Sequence, residues 1–161
     1  MCAMLIFSFY LYHSILNVNV KGIINITQEV SRKMIEQGIK GSIVNVSSVA
    51  GIRAFGGYFV YSATKGAIDQ MTRAMAVDLG KFGIRCNSVN PGLVLTDMVN
   101  HLSNEALEGY KTIVPLQSAV DVSDCVDAIL YLLSNHASMI NGVTLPIDGG
   151  LTSSVYIPNM N

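Results

Sequence analysis

Tyr61 and Lys65 stand four residues apart in the segment YSATK, which begins a predicted helix. On a helix this spacing places both side chains on one face, one turn apart. A free phenol has a pKa of about 10, and a neighbouring ammonium group favours its charged form. A tyrosine in that setting can give a proton to a carbonyl or take one from an alcohol. The pair therefore indicates acid–base chemistry, although a tyrosine and a lysine at this spacing are more often an ordinary helix surface.

Ser48 and Asn19 are two further residues whose positions suit this chemistry. Ser48 ends the apolar run GSIVNVSS, where its hydroxyl can donate a hydrogen bond to a substrate oxygen that gains negative charge. Asn19 begins the preceding predicted helix, where its side chain can hold a water behind Lys65. A serine after a strand is also a common helix cap or turn, so a structural role is the alternative. The candidate catalytic set is therefore Asn19, Ser48, Tyr61 and Lys65.

Helices and strands that alternate along the chain would position this set. The β-branched run over 41–48 predicts a strand buried on both faces, and the run over 84–92 predicts a strand that ends at Pro91 and Gly92. The complete predicted order is a helix over 19–37, a strand over 41–48, a helix over 57–82, a strand over 84–92, a looser segment over 96–111, a helix over 121–135 and a strand over 142–150. This order predicts an α/β fold with a parallel sheet of about three strands. Because ligands bind beyond the carboxyl ends of such strands, Ser48 and Pro91 are expected at one rim.

The composition narrows the class of protein. The chain has 161 residues, which suits one domain, and 50% of them are apolar while 13% are charged. A formal net charge of −1 without a basic cluster argues against nucleic acid as a partner. The three cysteines and three histidines show no metal-ligand spacing, so no metal site is expected. Separated cysteines, odd in number, favour reduced thiols and a cytoplasmic location.

The start of the chain is atypical. Residues 1–16 are mostly apolar and include no Asp, Glu, Lys or Arg. The run is too short and too often interrupted by polar residues for a stable membrane span, and it lacks the basic start of a secretory signal. The expected organisation is this segment followed by a single domain over 17–161.

Four segments, in order, resemble motifs of the short-chain dehydrogenase/reductase family. NVNVKG is similar to its helix asparagine motif, IVNVSSVAG with YSATK to its Ser-Tyr-Lys core, VNPGLVLTDM to the segment after the next strand, and NGVTLPIDGG to its closing strand. On this resemblance the family's catalytic asparagine falls on Asn19, and the spacing before the tyrosine selects Ser48 rather than Ser47. The resemblance implies that 17–161 is the later, C-terminal portion of a Rossmann-type doubly wound parallel sheet.

The resemblance also implies an activity, which is NADPH-linked reduction of small ketoses and α-dicarbonyls. Tyr61 would give the proton, and Lys65 would also hold the nicotinamide ribose. NADPH is expected rather than NAD. The residues expected to contact the cofactor are Tyr61, Lys65, Pro91, Gly92, Val94 through its backbone and Thr96 through its hydroxyl.

Two alternatives to this activity remain open. The family's glycine-rich phosphate-binding turn, which lies in its first βαβ unit, has no counterpart in this sequence. One alternative is therefore a truncated, catalytically inactive chain that acts as an oligomerisation partner. The resemblance implies a homo-oligomer, dimer or tetramer, formed through the helices over 19–37 and 57–82. The other alternative is an enzyme like the 3-oxoacyl carrier-protein reductases, because these share much of the same sequence in these segments.

Overall fold

The computed structural model describes residues 9–99 and 102–153. Cys2 and the first half of the apolar segment 1–16 lie outside the described residues. Within these ranges the helices are α1 (Phe9–Leu16), α2 (Gly22–Glu36), α3 (Phe59–Gly80), α4 (Asn104–Ile113) and α5 (Val122–Leu133). The strands are β1 (Ser42–Val46), β2 (Arg85–Pro91) and β3 (Thr144–Ile147). Short 3-10 turns occur at Val49–Gly51, Asp97–Val99 and Asn135–Ala137.

The strands form one parallel sheet in the order β1-β2-β3. Ser42 pairs with Arg85 at the start of the first ladder, and Pro91 pairs with Ile147 at the end of the second. Helix α3 connects β1 to β2 and helix α5 precedes β3, as parallel pairing requires. The predicted α/β class with a three-stranded parallel sheet is confirmed. The carboxyl ends of β1 and β2 therefore lie side by side.

Strand β2 is central and almost wholly buried, whereas β1 is an edge strand. Val46 of β1 is 50% exposed. The prediction that 41–48 is buried on both faces is therefore wrong, because within β1 only Asn45 is buried and the other side chains are half-buried or exposed. Asn45 is buried on the inner face, where its amide donates to Thr72 of α3 at 2.9 Å.

Hydrogen bonds fix both ends of α5. At its start Asp121 and Asp124 form a capping box, in which each carboxylate accepts from the backbone of the other residue. At its end the Arg85 guanidinium donates to the carbonyls of Leu132 and Ser134 at 2.8 and 3.0 Å. Since Arg85 begins β2, the end of α5 is held at the start of the central strand.

Helices α1 and α2 form one continuous helix that contains a π-turn at Asn17–Lys21. The helix predicted to begin at residue 19 thus begins earlier, because no proline or glycine precedes Gly22 in this segment. The buried side chains of α2 are Thr27 and Ser31, whereas Ile26 is 67% exposed. Part of the apolar face of α2 is therefore on the surface. Among the helices of the described ranges, none is long and apolar enough to cross a membrane.

Cys86 lies on β2 and its side chain is completely buried. Burial raises the pKa of its thiol to about 11, although a hydrogen bond from Asn45 opposes the rise. At pH 8 only about one molecule in a thousand then carries the reactive thiolate. We expect iodoacetamide at pH 8 to leave Cys86 unmodified in the native chain and to alkylate it in urea, as peptide mass spectrometry can measure. Native labelling of Cys86 at the rate of the half-buried Cys125 would contradict this packing.

Candidate active site

Lys65 connects α3 to the end of β1. Its Nζ atom donates to the carbonyl of Val46 at 3.1 Å. The same atom lies 5.5 Å from the centroid of the Tyr61 ring, which is within the range of a cation–π contact. Both side chains are half-buried. The structure therefore brings Lys65 and Tyr61 together on one helix face, as their spacing predicts.

Two opposing effects act on the charge of Lys65. Burial lowers the pKa of its ammonium group, and the carboxylate of Asp69, one turn further along α3, raises it. A buried anion thus offsets part of the free energy lost when the ammonium group leaves water. Asp69 therefore helps to keep Lys65 charged beside the tyrosine.

Ser48 follows β1, and backbone groups contact both of its oxygens. Its Oγ atom accepts from the N–H of Ala50 at 3.1 Å, and its carbonyl accepts from the N–H of Gly51 at 2.9 Å. Because a hydroxyl that accepts a hydrogen bond still has a hydrogen to give, Ser48 can donate to a ligand. Ser47, by contrast, is 4% exposed and donates to the carbonyl of Lys65 at 3.0 Å. Of the two serines, Ser48 is the one whose hydroxyl is accessible.

Asn19 lies within the π-turn, and its side chain contacts α3. The Nδ2 atom donates to Oγ1 of Thr64 at 3.0 Å, and Thr64 donates to the carbonyl of Tyr61 at 2.7 Å. The asparagine is therefore held against the helical turn that carries the tyrosine. Single π-turns often occur at functional sites.

The residues predicted to contact a cofactor lie beyond the carboxyl end of β2. Pro91 ends the strand, and the N–H of Gly92 donates to a carbonyl of β3 at 2.9 Å. Val94 forms a single parallel β-bridge with Val120, which lies just before α5, and Thr96 is exposed. Since Ser48 follows the neighbouring strand at the same end, the structure places these residues and Ser48 along one rim.

Tyr110 of α4 packs against this loop. Its hydroxyl oxygen accepts from the N–H of Leu93 at 3.0 Å. A Cβ atom at Gly92 would lie 2.7 Å from that hydroxyl, so the missing side chain permits the close approach. Burial raises the pKa of Tyr110, which keeps its hydroxyl protonated at neutral pH. Sequence reasoning missed Tyr110, because it stands in a polar segment with no pattern that marks it.

Comparison with known families decides which family this geometry belongs to. A short-chain dehydrogenase/reductase family model, described as "Enoyl-(Acyl carrier protein) reductase", matches residues 7–152. The chain belongs to the short-chain dehydrogenase/reductase family. The resemblance carried by the four sequence motifs is confirmed.

Two curated relatives of this short-chain dehydrogenase/reductase are reductases. The chain is 45% identical to L-xylulose reductase of Caenorhabditis elegans, over 85% of this chain and 55% of that protein. It is 40% identical to carbonyl reductase [NADPH] 2 of Sus scrofa, over 86% of this chain and 57% of that protein. The chain thus spans little more than half the length of these relatives.

Solved structures of the family share the fold. Gluconate 5-dehydrogenase from Burkholderia cenocepacia, in complex with NADP and tartrate, superposes with a TM-score of 0.91 at 32% identity, over 94% of this chain and 60% of that one. A 4-hydroxyisoleucine dehydrogenase complexed with NADH gives a TM-score of 0.92 at 31% identity, over 96% of this chain and 64% of that one. The three strands and their helices are therefore arranged as in full-length dehydrogenases.

A buried polar network lies beneath the rim of this short-chain dehydrogenase/reductase. The carboxylate of Asp69, which is 3% exposed, accepts from Asn90 Nδ2 at 2.9 Å and from Ser88 Oγ at 3.3 Å. Sequence reasoning did not single out these residues. A signal was present, because Asn87, Ser88 and Asn90 stand in a predicted strand of a parallel sheet, where polar side chains that become buried need partners.

The rim presents hydroxyl, phenol, ammonium and amide groups. Among the residues that the structure describes, no group of three His, Cys, Asp or Glu side chains could hold a metal ion.

Proposed function

We propose that the chain carries the proton-transfer site of an NADPH-dependent carbonyl reductase that acts on small ketoses and α-dicarbonyls. The observation that carries this proposal is the attachment of the helix of Tyr61 to the strand that precedes Ser48. Lys65 Nζ donates to Val46 at 3.1 Å, and Ser47 donates to the carbonyl of Lys65 at 3.0 Å. The names of the L-xylulose reductase and carbonyl reductase relatives support the class of substrate.

In the proposed reaction Tyr61 gives its phenolic proton to the carbonyl oxygen of the substrate. Ser48 donates a hydrogen bond to the same oxygen, and this bond strengthens as negative charge develops there. The ammonium group of Lys65 stabilises the phenolate that remains. Asn19, which is held against Thr64, is proposed to hold a water behind Lys65.

A nicotinamide cofactor fits the polar groups that the rim presents, and when bound it supplies the hydride for the carbonyl carbon. Lys65 would also hold the nicotinamide ribose. The backbone of Val94 and the exposed hydroxyl of Thr96 would bind the adjacent part of the cofactor, next to Pro91 and Gly92. The NADP complex of the gluconate dehydrogenase and the name of the pig relative support NADPH. The NADH complex of the second dehydrogenase makes NADH the competitor to be measured.

Titration of the 161-residue chain with NADPH and with NADH, followed by nicotinamide fluorescence, tests the cofactor. We expect NADPH to bind with a dissociation constant below about 1 mM, or roughly −4 kcal/mol, and NADH to bind more weakly. Tighter binding of NADH would overturn the choice of NADPH. Saturation with neither would contradict a working cofactor site.

Oxidation of NADPH in the presence of a carbonyl compound tests the reaction. We expect turnover with L-xylulose or diacetyl. Faster turnover with an acetoacetyl thioester would instead support the alternative related to the 3-oxoacyl carrier-protein reductases. The absence of turnover with all three, despite NADPH binding, would favour the inactive oligomerisation partner.

We also propose that the chain forms a homo-oligomer through the helices over 19–37 and 57–82. Apolar side chains on both helices are exposed: Ile26 of α2 by 67% and Val77 of α3 by 80%. Such side chains gain free energy when a partner surface buries them. This observation also favours the second candidate function, in which the chain joins other subunits without turnover.

Val77→Asp is expected to shift the chain toward the monomer, because burying a carboxylate in an apolar interface costs free energy. Light scattering after size-exclusion chromatography measures the mass. Val126→Asp is the matched control, since Val126 is an exposed valine on α5, outside the proposed interface. A wild-type chain that is already monomeric, or an equal effect of both substitutions, would contradict this interface.

A further inference from the structure

We propose that Asn90 and Asp69 are positioning residues that hold Ser48 at the distance from Tyr61 that proton transfer needs. This inference rests on the proposed reductase function and extends it to two residues that touch neither substrate nor cofactor. Both side chains are buried beneath the rim, at 0% and 3% exposure.

The amide of Asn90 bridges two elements of the site. Its Nδ2 atom donates to the carbonyl of Ser48 at 2.8 Å and to Oδ2 of Asp69 at 2.9 Å. An amide nitrogen has two hydrogens, so these two bonds use both of them. The same Ser48 carbonyl also accepts from the N–H of Gly51 at 2.9 Å. The backbone of Ser48 is therefore fixed from the central strand and from its own turn.

Asp69 transfers this constraint to the helix that carries the tyrosine. It stands one turn beyond Lys65 and two turns beyond Tyr61 on α3. Tyr61 is thus connected to Ser48 through helix α3, the carboxylate of Asp69 and the amide of Asn90. Without this path, Ser48 would be held to α3 through the bonds of its neighbours Ser47 and Val46 to Lys65.

The chemistry of the network distinguishes it from ordinary packing. A buried carboxylate and amide are costly to desolvate, and apolar side chains would fill the same space at less cost. The Oδ1 atom of Asn90 is buried and has no hydrogen-bond partner among the described residues. An asparagine that leaves one polar atom unsatisfied is better explained by the two bonds that its nitrogen donates than by stability alone.

Four variants of the full chain test the inference: Asn90→Ala, Asp69→Ala, Asp69→Asn and the control Asn45→Ala. Asn90→Ala and Asp69→Ala break the bridge, whereas asparagine at 69 keeps an oxygen that accepts from Asn90. Asn45 is a matched control, because it is also a buried strand asparagine that donates to α3 but has no bond to Ser48. The measurements are kcat and KM at pH 7, and the hydrogen-exchange rate of the Gly51 amide, which reports the Ser48 carbonyl directly.

We expect Asn90→Ala and Asp69→Ala to lower kcat by about 10- to 100-fold and to change KM by less than about threefold. Exchange at Gly51 should become at least about tenfold faster in both variants. Asp69→Asn should return exchange at Gly51 to within about threefold of the wild-type rate, and Asn45→Ala should leave exchange at Gly51 unchanged. The kcat of Asp69→Asn does not enter this comparison, because the substitution also removes the negative charge near Lys65. The control separates positioning from stability, because Asn45→Ala also removes a buried strand asparagine bonded to α3 and would accelerate exchange at Gly51 if loss of packing alone were responsible.

Three results would overturn the inference. They are unchanged kcat and exchange in Asn90→Ala, exchange at Gly51 in Asp69→Asn as fast as in Asp69→Ala, and an equal acceleration of Gly51 exchange in Asn45→Ala. If Asn90→Ala does not fold, Asn90→Ser replaces it. If the wild-type chain shows no turnover, the reductase proposal fails separately, and exchange at Gly51 alone decides whether Asn90 holds Ser48.

Discussion

Tyr61→Phe is expected to lower kcat by a factor of about 10²–10⁴ while the NADPH dissociation constant stays within about threefold. The substitution removes the phenolic proton but keeps the ring that lies 5.5 Å from Lys65 Nζ. The fold and the cation–π contact are therefore preserved, and only proton donation is lost. Steady-state kinetics with diacetyl and fluorescence titration with NADPH measure the two quantities on the same protein.

Tyr58 provides the control for this experiment. Its ring lies 6.4 Å from the ring of Tyr61, and the residue is 57% exposed. Tyr58→Phe removes a hydroxyl of the same type from the start of the same helix, and we expect kcat to change by less than about twofold. Retained turnover in Tyr61→Phe, or an equal loss of kcat in both variants, would contradict the role assigned to Tyr61.

Gly51→Ala has the largest expected effect on stability, a loss of about 1–3 kcal/mol in the free energy of unfolding. A Cβ atom at residue 51 would lie 2.6 Å from Oδ2 of Asp69 and 2.8 Å from the carbonyl carbon of Lys65. Because the second contact is with the backbone, no side-chain rotation relieves it. The turn that follows Ser48 must then move away from α3, so kcat should fall together with stability. Urea unfolding and steady-state kinetics measure both effects.

Gly56 is the matched glycine for this comparison. It stands between β1 and α3, like Gly51, but a Cβ atom there would meet nothing within 4 Å. Gly56 does not have a positive φ, so alanine can also adopt its backbone conformation. We expect Gly56→Ala to change the free energy of unfolding by less than about 0.5 kcal/mol. Equal stability of the two variants would show that the turn and α3 do not pack as closely as described.

The fold class was predictable because its signals are local. Apolar residues at three- and four-residue steps indicate helices, and short β-branched runs between glycines indicate strands, whatever surrounds them. The burial of β1 was not predictable in this way. A run such as SIVNV has the same pattern whether or not both faces of its strand are covered, and the elements that pack on each face decide whether Val46 is buried.

The candidate site was also predictable only where one element determines the relative positions of its residues. Tyr61 and Lys65 lie on one helix, so their spacing determines their relative position. The bond between Asp69 and Asn90 joins residues 21 positions apart, and it depends on how α3 packs on β2. The contact of Asn19 with Thr64 joins residues 45 positions apart and depends on a π-turn that no residue type marks. Sequence patterns therefore identify the reactive side chains better than the groups that hold them in place.

The π-turn at Asn17–Lys21 also sets the rotational phase between α1 and α2. One residue more than an α-helical turn needs rotates all that follows by about 100° relative to what precedes it. The extra residue thus sets the orientation of α2 in which Thr27 is buried and Ile26 lies at the surface. If the same residues formed a regular α-helix without the wide turn, α2 would be rotated by about 100° relative to α1, although every side chain of α2 stayed intact. The length of this turn is therefore as much a determinant of the surface as the residues of α2 themselves.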